Sequence, residues 1–201
     1  MSDDPERHRA KMIKRKAAQD AEVAAKPIAA KGLLIVHTGP GKGKSTAAFG
    51  LALRALGRGW RVGVVQFIKG AWETGERTAF EKFAGQMTWR TMGEGFTWET
   101  QDRARDVAAA EAAWDEARKM MADPTIRLLI LDELNIALRY DHLTLAEILT
   151  ALQARRPDLH VVVTGRNAKP ELIAAADLVT EMTLVKHHFA AGVRAQEGVE
   201  F

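Results

Sequence analysis

Residues 33–56 read LLIVHTGPGKGKSTAAFGLALRAL and predict a buried strand, a glycine-rich turn and a helix. The unbroken apolar run from Leu33 to Val36 is typical of a strand that a parallel sheet covers on both faces. Good helix formers run from Ala47 to Leu56, and Gly57 ends them. Gly43-Lys44-Ser45 is the GK[ST] end of a phosphate-binding loop, so this stretch predicts a site for a nucleoside polyphosphate.

The residue types in this loop suit an anion. Its glycines allow close backbone approach, and the amides of Gly41 to Ser45 can converge on phosphate oxygens at the positive end of the helix. Lys44 supplies a mobile charge for the terminal phosphates, and the Ser45 hydroxyl can ligate Mg²⁺. The loop departs from the common pattern at Thr38, where a first glycine is usual, and at Pro40, which removes one amide. The candidate nucleotide-binding residues are Thr38, Gly39, Pro40, Gly41, Lys42, Gly43, Lys44, Ser45 and Thr46.

A second apolar run, Ile126 to Leu131, leads into Asp132-Glu133. An acidic pair that ends a buried strand downstream of a phosphate loop is typical of carboxylates on the Mg²⁺ side of a nucleotide. Asp132 is the better candidate for the metal, directly or through water, together with Ser45. Glu133 could bind metal or orient water, and we assign it, with Lys44, a catalytic role. The residues alone leave the reaction open, and a P-loop ATPase or kinase acting as a regulatory module is one possibility.

The rest of the chain alternates apolar runs with helical segments, which predicts an α/β fold with right-handed parallel crossovers. We expect a P-loop NTPase (RecA-like) domain of three layers, with a mainly parallel central sheet and helices on both faces. Further strands are predicted at residues 61–67, 87–92, 126–131, 160–164 and 178–182. Further helices are predicted at residues 77–84, 101–121, 135–139, 144–154 and 170–176.

Composition separates an N-terminal arm, residues 1–31, from a domain at residues 32–201. The arm carries eight basic and five acidic residues and so accounts for the whole net charge of +3. Because the remainder is neutral, we expect no nucleic-acid partner. The absence of cysteine excludes disulfides and iron–sulfur clusters, and the lack of a long apolar run or secretory signal predicts a cytoplasmic protein without membrane contact. The arm is either a solvated tail or a basic helix that covers an anionic ligand or a partner subunit.

Two aromatic residues, Phe96 and Trp98, lie two positions apart in a polar, glycine-containing segment. They either pack back onto the domain or form a lid over a flat, largely apolar ligand. Near the C-terminus, His187 and His188 are adjacent in sequence, which favours surface or packing roles over a shared metal.

Several segments together resemble the P-loop type of ATP:corrinoid adenosyltransferase, the CobA/CobO/BtuR family. The resemblance covers about residues 32–201 in the family's order, and the aromatic and C-terminal segments are far more specific than any P-loop. The segments are TGPGKGKSTAAFG (38–50), VGVVQFIKG (62–70), GFTWETQ (95–101), LDEL (131–134), VTGR (163–166) and VKHHFAAGVRAQEG (185–198).

This resemblance implies that a corrinoid reduced to Co(I) attacks the 5′-carbon of ATP and releases inorganic triphosphate. ATP would lie reversed in the loop, with Mg²⁺, so that the ribose carbon faces the corrinoid. Phe96 and Trp98 would pack against the corrin and exclude its lower axial ligand, which eases reduction of the cobalt. The resemblance also implies an electron donor such as a flavoprotein, and a homodimer whose N-terminal arm folds over the active site.

Overall fold

The computed structural model describes residues 4–27, 31–68, 74–92 and 102–200. By its internal contacts the chain forms two units, Met1–Lys31 and Gly32–Phe201. The first unit contains one helix, α1 (Pro5–Ala24), which is longer than the weak helical character at residues 12–23 indicates. Its start has local causes, because the Asp4 side chain accepts a 3.1 Å hydrogen bond from the Glu6 amide and proline occupies the first helical position.

None of the residues in α1 is buried. Exposed ion pairs such as that between Lys16 Nζ and Asp20 Oδ2, at 2.6 Å and four residues apart, each stabilise the helix by about 0.3 kcal/mol. Neither α1 nor any other helix in the described part of the chain is long and apolar enough to cross a membrane.

The second unit alternates strands and helices throughout the ranges that the structure describes. Its strands are β1 (Leu34–Thr38), β2 (Arg61–Gln66), β3 (Met87–Thr91), β4 (Ile126–Asp132), β5 (His160–Thr164) and β6 (Leu178–Glu181). Its helices are α2 (Lys44–Leu56), α3 (Gly75–Phe80), α4 (Arg103–Ala122), α5 (Leu134–Arg139), α6 (Leu145–Gln153) and α7 (Pro170–Ala175). Short 3-10 turns lie at Glu81–Phe83 and His188–Ala191. Each predicted strand is present, with its ends within one or two residues of the prediction.

The six strands form one sheet in the order β3-β2-β4-β5-β1-β6, and every pairing is parallel. Their carboxyl ends therefore meet at one edge, where open α/β sheets bind ligands. One strand, β5, separates the strand that enters the phosphate loop from the strand that ends in the acidic pair. This order confirms the predicted P-loop α/β fold.

Alternating side chains of the central strands enter two separate cores, one on each face of the sheet. On one face, Ile35, Val64 and Ile130 pack with the buried side of α2 and with Phe80 of α3. On the other face, Val36, Val65 and Leu131 pack with a second group of helices. That group supplies Ala113, Trp114 and Met120 of α4, Leu134 and Leu138 of α5, Ile148 and Leu152 of α6, and Leu172 of α7. The predicted three layers are confirmed, and both faces of the sheet are covered.

Candidate nucleotide site

The phosphate loop follows β1 directly, and α2 begins at Lys44 with Gly43 as its N-cap. Gly39 and Gly43 have φ of +96° and +106°, a conformation that residues with a Cβ rarely adopt. A Cβ on Gly39 would also lie 2.5 Å from the Met182 carbonyl oxygen. The loop therefore needs glycine at both positions for its backbone conformation, and at Gly39 also for the approach of the chain that follows β6.

The Lys44 side chain lies inside the loop rather than in solvent, with only 7% of its surface exposed. Its Nζ donates hydrogen bonds to the carbonyl oxygens of Gly39 at 3.0 Å and Gly41 at 2.5 Å. Burial lowers the pKa of Lys44, and the charge of Glu133 acts in the opposite direction. The ammonium group is thus held at the centre of the loop by carbonyls that a phosphate would replace.

The Gly41 amide has a protein partner. It donates a 2.6 Å hydrogen bond to the carbonyl oxygen of Met182, just beyond β6. This amide is one of the predicted phosphate donors, and phosphate binding there would require its bond to Met182 to break. Since Pro40 has no N–H, residues 42–45 remain as the candidate amide donors.

Asp132 ends β4 with 4% of its surface exposed, and both of its carboxylate oxygens accept hydrogen bonds. Gln66 Nε2 donates to Oδ2 at 3.1 Å, and Thr164 Oγ1 donates to Oδ1 at 2.8 Å. Gln66 Oε1 in turn accepts from Trp89 Nε1 at 3.0 Å and from Thr91 Oγ1 at 3.1 Å. Side chains from β2, β3 and β5 therefore fix the orientation of this carboxylate.

Glu133 adopts a left-handed conformation with φ of 61°, and its amide donates to Thr164 Oγ1 at 2.9 Å. Burial, followed by the charge of Asp132, raises the pKa of Glu133 to about 7, against the opposing charges of Lys44 and Arg166. The loop lysine and this carboxylate are thus electrostatic neighbours, and their catalytic roles stay a prediction. A carboxyl group with a pKa near neutrality beside a cationic loop is a common feature of functional sites.

The oxygen atoms of this site suit Mg²⁺. Hydroxyl and carboxylate oxygens such as those of Ser45, Asp132 and Glu133 are the ligands that this ion prefers, and it commonly keeps waters and phosphate oxygens as well. The raised pKa of Glu133 reflects the cost of burying two carboxylates side by side, which a divalent cation would offset. Among the described residues no group of three or more histidines or acidic side chains converges. The residues present therefore fit an ion held jointly with a nucleotide.

The other predicted loop residues differ in exposure. Thr38 is buried, and its Oγ1 accepts a 3.0 Å hydrogen bond from the Ala168 amide. Ser45 is half-buried in the first turn of α2, whereas Pro40 and Thr46 are exposed. Ser45 thus follows the buried Lys44 directly, and its role as a metal ligand stays a prediction.

Lys42 is also exposed, and it forms an ion pair with Glu200 near the end of the described chain. Glu200 also pairs with His188 Nε2 at 2.6 Å, and the His187 and His188 rings stack with 4.7 Å between their centroids. The adjacent histidines therefore have packing and ion-pair roles, in line with the sequence analysis. Phe96 and Trp98 lie outside the described residues, so their contacts with a corrin stay a prediction.

The motifs in the sequence predict no role for Gln66 or Thr164, which orient the acidic pair. Both are buried polar residues that end apolar strands, and Gln66 pairs with Asp132 in the register of β2 and β4. The sequence feature that could have identified both residues is a polar side chain at the carboxyl end of a buried strand. Asn135 was missed as well, although it is fully buried and donates to the Gly165 carbonyl at 3.0 Å.

Replacing Thr164 by valine should destabilise the protein, because the Glu133 amide would lose its acceptor and Asp132 one donor. We expect the free energy of unfolding to fall by about 1–3 kcal/mol, measured by chemical denaturation. The control is Thr150→Val in α6, where an exposed hydroxyl donates to the Ala146 carbonyl oxygen and the expected change is about 0.5 kcal/mol or less. Equal losses in the two variants would show that the hydroxyl does not support the acidic pair.

A glycine loop around a buried lysine, together with an acidic pair on a parallel sheet, defines a P-loop nucleotide-binding domain. The sequence model described as "ATP:corrinoid adenosyltransferase BtuR/CobO/CobP" matches residues 30–201, and one described as "Cob(I)alamin adenosyltransferase N terminal" matches residues 1–23. This chain belongs to the ATP:corrinoid adenosyltransferase family.

The full-length similarity to curated relatives agrees with this assignment. The chain is 55% identical over 204 residues to a corrinoid adenosyltransferase of Pseudomonas aeruginosa, covering 100% of both proteins. It is 55% identical over 200 residues to one of a Sinorhizobium species, covering 98% of this chain and 93% of that protein. It is 46% identical over 201 residues to corrinoid adenosyltransferase CobA of Salmonella typhimurium, again covering 100% of both.

Proposed function

We propose that this protein transfers the 5′-deoxyadenosyl group of ATP to the Co(I) centre of a reduced corrinoid, in the biosynthesis or salvage of adenosylcobalamin. The cobalt electron pair forms the bond to C5′, and the C5′–O bond breaks with its electrons on the triphosphate. Neither step moves a proton, so no general base is required. The observation that carries the proposal is the buried Lys44 beside Glu133, in a chain that belongs to this family.

The residues of this chain contribute position and charge. Lys44 and the amides of residues 42–45 bind the triphosphate and stabilise the charge that it gains as it leaves. ATP lies reversed in the loop, so that C5′ and not the γ-phosphate faces the second substrate. Ser45 and the acidic pair would hold Mg²⁺, and the bound ion would neutralise part of the triphosphate charge.

Phe96 and Trp98 provide an apolar wall for the corrin on this proposal. Such a wall excludes the lower axial ligand, and four-coordinate cobalt is easier to reduce to Co(I). An electron donor such as a flavoprotein supplies the electron. We also propose a cytoplasmic homodimer in which the arm at residues 1–31 covers the active site. The resemblance of residues 32–201 to the family supports the roles of Phe96 and Trp98, and the N-terminal family model that matches residues 1–23 supports the role of the arm.

The test mixes the purified protein with MgATP and a corrinoid chemically reduced to Co(I), in the dark and without oxygen. We expect a light-sensitive adenosylated corrinoid and one inorganic triphosphate for each cobalt–carbon bond, measured by absorbance and phosphorus NMR. Orthophosphate or ADP as the only product would instead support a P-loop ATPase or kinase. Parallel reactions with cobinamide, a cobyrinic acid diamide and cobalamin identify the preferred corrinoid.

A further inference from the structure

The loop at residues 165–168 is hydrogen-bonded to the start of the phosphate loop and to α5, the helix that follows the acidic pair. On one side, the Ala168 amide donates to Thr38 Oγ1 at 3.0 Å, at the end of β1. On the other, Asn135 Nδ2 donates to the Gly165 carbonyl oxygen at 3.0 Å from a fully buried position. Both ends of this loop are therefore fixed relative to the nucleotide site.

Gly165 brings the loop close to Glu133. It is buried, with φ of +123°, and a Cβ at this position would lie 2.9 Å from Asn135 Cβ and 3.0 Å from Glu133 Oε2. No other residue type fits there without movement of those neighbours, because both the space and the conformation demand glycine. The residue that follows, Arg166, thus leaves the backbone next to the acidic pair.

Arg166 is exposed and forms no hydrogen bond or ion pair with the rest of the described chain. Its positive charge nevertheless acts on both sides of the site, since it lowers the pKa of Lys44 and that of Glu133. The charged groups that act on these two are Asp132, Lys42 and Arg166, besides each other. Arg166 is therefore a cation at the site whose hydrogen-bond donors face solvent.

A triphosphate has more acceptor oxygens than one lysine and a short set of amides can satisfy. A guanidinium presents a planar fork of donors that binds a phosphate with two parallel hydrogen bonds, and it keeps its charge at any physiological pH. We propose that Arg166 binds the triphosphate of ATP and stabilises it as the leaving group. This inference rests on the proposed function and adds a binding residue from the carboxyl end of β5.

The test measures binding of inorganic triphosphate and of MgATP by calorimetry, with no corrinoid present. For Arg166→Ala we expect both dissociation constants to rise about 10- to 100-fold, the range of one charged hydrogen-bonding partner. The dissociation constants of Arg166→Lys should lie between those of wild type and Arg166→Ala, because lysine keeps the charge and lacks the planar fork of donors. In turnover, kcat/KM for ATP should fall in Arg166→Ala while the KM for the corrinoid stays unchanged.

The matched control is Lys169→Ala, which removes the same charge three residues along the chain. Lys169 pairs with Asp141 at 3.4 Å, so its loss should change triphosphate binding by less than about two-fold. Wild-type affinity for triphosphate in Arg166→Ala would overturn the proposal, and so would an equal loss in the control. If Arg166→Ala does not fold, Arg166→Lys provides the test. Wild-type triphosphate affinity and wild-type kcat/KM for ATP in Arg166→Lys would then overturn the proposal. A wild-type protein that binds triphosphate but transfers no adenosyl group would refute the proposed function. The triphosphate affinities of wild type and Arg166→Ala would still test the role of Arg166.

Discussion

Replacing Lys44 by alanine should reduce adenosyl transfer by at least about 100-fold, the usual cost of removing a preorganised group that stabilises developing charge. Lys44 is buried and lies within the loop, hydrogen-bonded to Gly39 and Gly41. Its ammonium group therefore already lies inside the loop where the triphosphate would bind, and phosphate oxygens would replace the two carbonyls as its acceptors. The measurement is the rate of cobalt–carbon bond formation at saturating MgATP with pre-reduced corrinoid.

The comparison for this variant is Lys42→Ala in the same loop. Lys42 is exposed and paired with Glu200, so we expect a clearly smaller loss than for Lys44. Circular dichroism should show that both variants are folded. If Lys44→Ala kept more than about a tenth of wild-type activity, or lost no more than Lys42→Ala, the central role of Lys44 would be wrong.

Glu133→Gln should also cost about 100-fold in turnover and should change how the rate depends on pH. Burial and Asp132 raise the pKa of Glu133 to about 7, so the wild-type carboxylate ionises in the neutral range. If the ionised form serves the nucleotide and its metal, kcat/KM for ATP should rise as pH increases through 7. The glutamine variant should lack that rise. A rate profile is the measurement, taken from about pH 6 to 9 at constant ionic strength.

Stability should respond to pH in the opposite direction from activity. The ordinary pKa of 4.5 applies to Glu133 in the unfolded chain, and the value of about 7 applies in the folded one. Between these values the folded protein keeps a proton that the unfolded chain has lost, so the unfolding free energy falls as pH rises through that window. The glutamine of Glu133→Gln does not ionise, so this loss of stability is absent from the variant. We expect it to gain stability over wild type between pH 5 and pH 8, on the order of 2 kcal/mol.

Glu147→Gln is the matched control, because Glu147 is exposed in the first turn of α6. It should follow the wild-type curves for both rate and stability. A rise in kcat/KM that persists in Glu133→Gln would assign that ionisation to another group. A constant stability difference at all pH values would mean that Glu133 has no raised pKa in the folded protein.

Local patterns in the sequence were sufficient for the fold and for the chemical groups at the centre of the site. A continuous apolar run such as Leu128 to Leu131 predicts a strand covered on both faces, and the structure buries all four residues. Gly43-Lys44-Ser45 identifies the phosphate loop because its chemistry depends on adjacent residues, although α2 begins at Lys44, three residues before the predicted start at Ala47. These features are local, so they can be recognised without knowing which strands pair.

The supporting contacts could not be predicted because they join distant parts of the chain. Gln66 reaches Asp132 only because β2 and β4 pair in one particular register. The bond from the Gly41 amide to Met182 depends on β6 lying next to β1, with more than a hundred residues between them. Strand order and register are set by packing of the whole sheet, so a single sequence does not display them.

The backbone of Glu133 is strained at a position to which we assign a catalytic role. Three non-glycine residues in the described chain have positive φ, and the other two are Asp141 and Asn167, types that tolerate this conformation. Glu133 has no such tolerance, and its strain costs on the order of 1 kcal/mol. A library of variants screened for heat resistance alone would therefore favour glycine or asparagine at position 133, and on the proposed role of Glu133 it would enrich inactive proteins. Directed evolution of this scaffold has to select for turnover in every round.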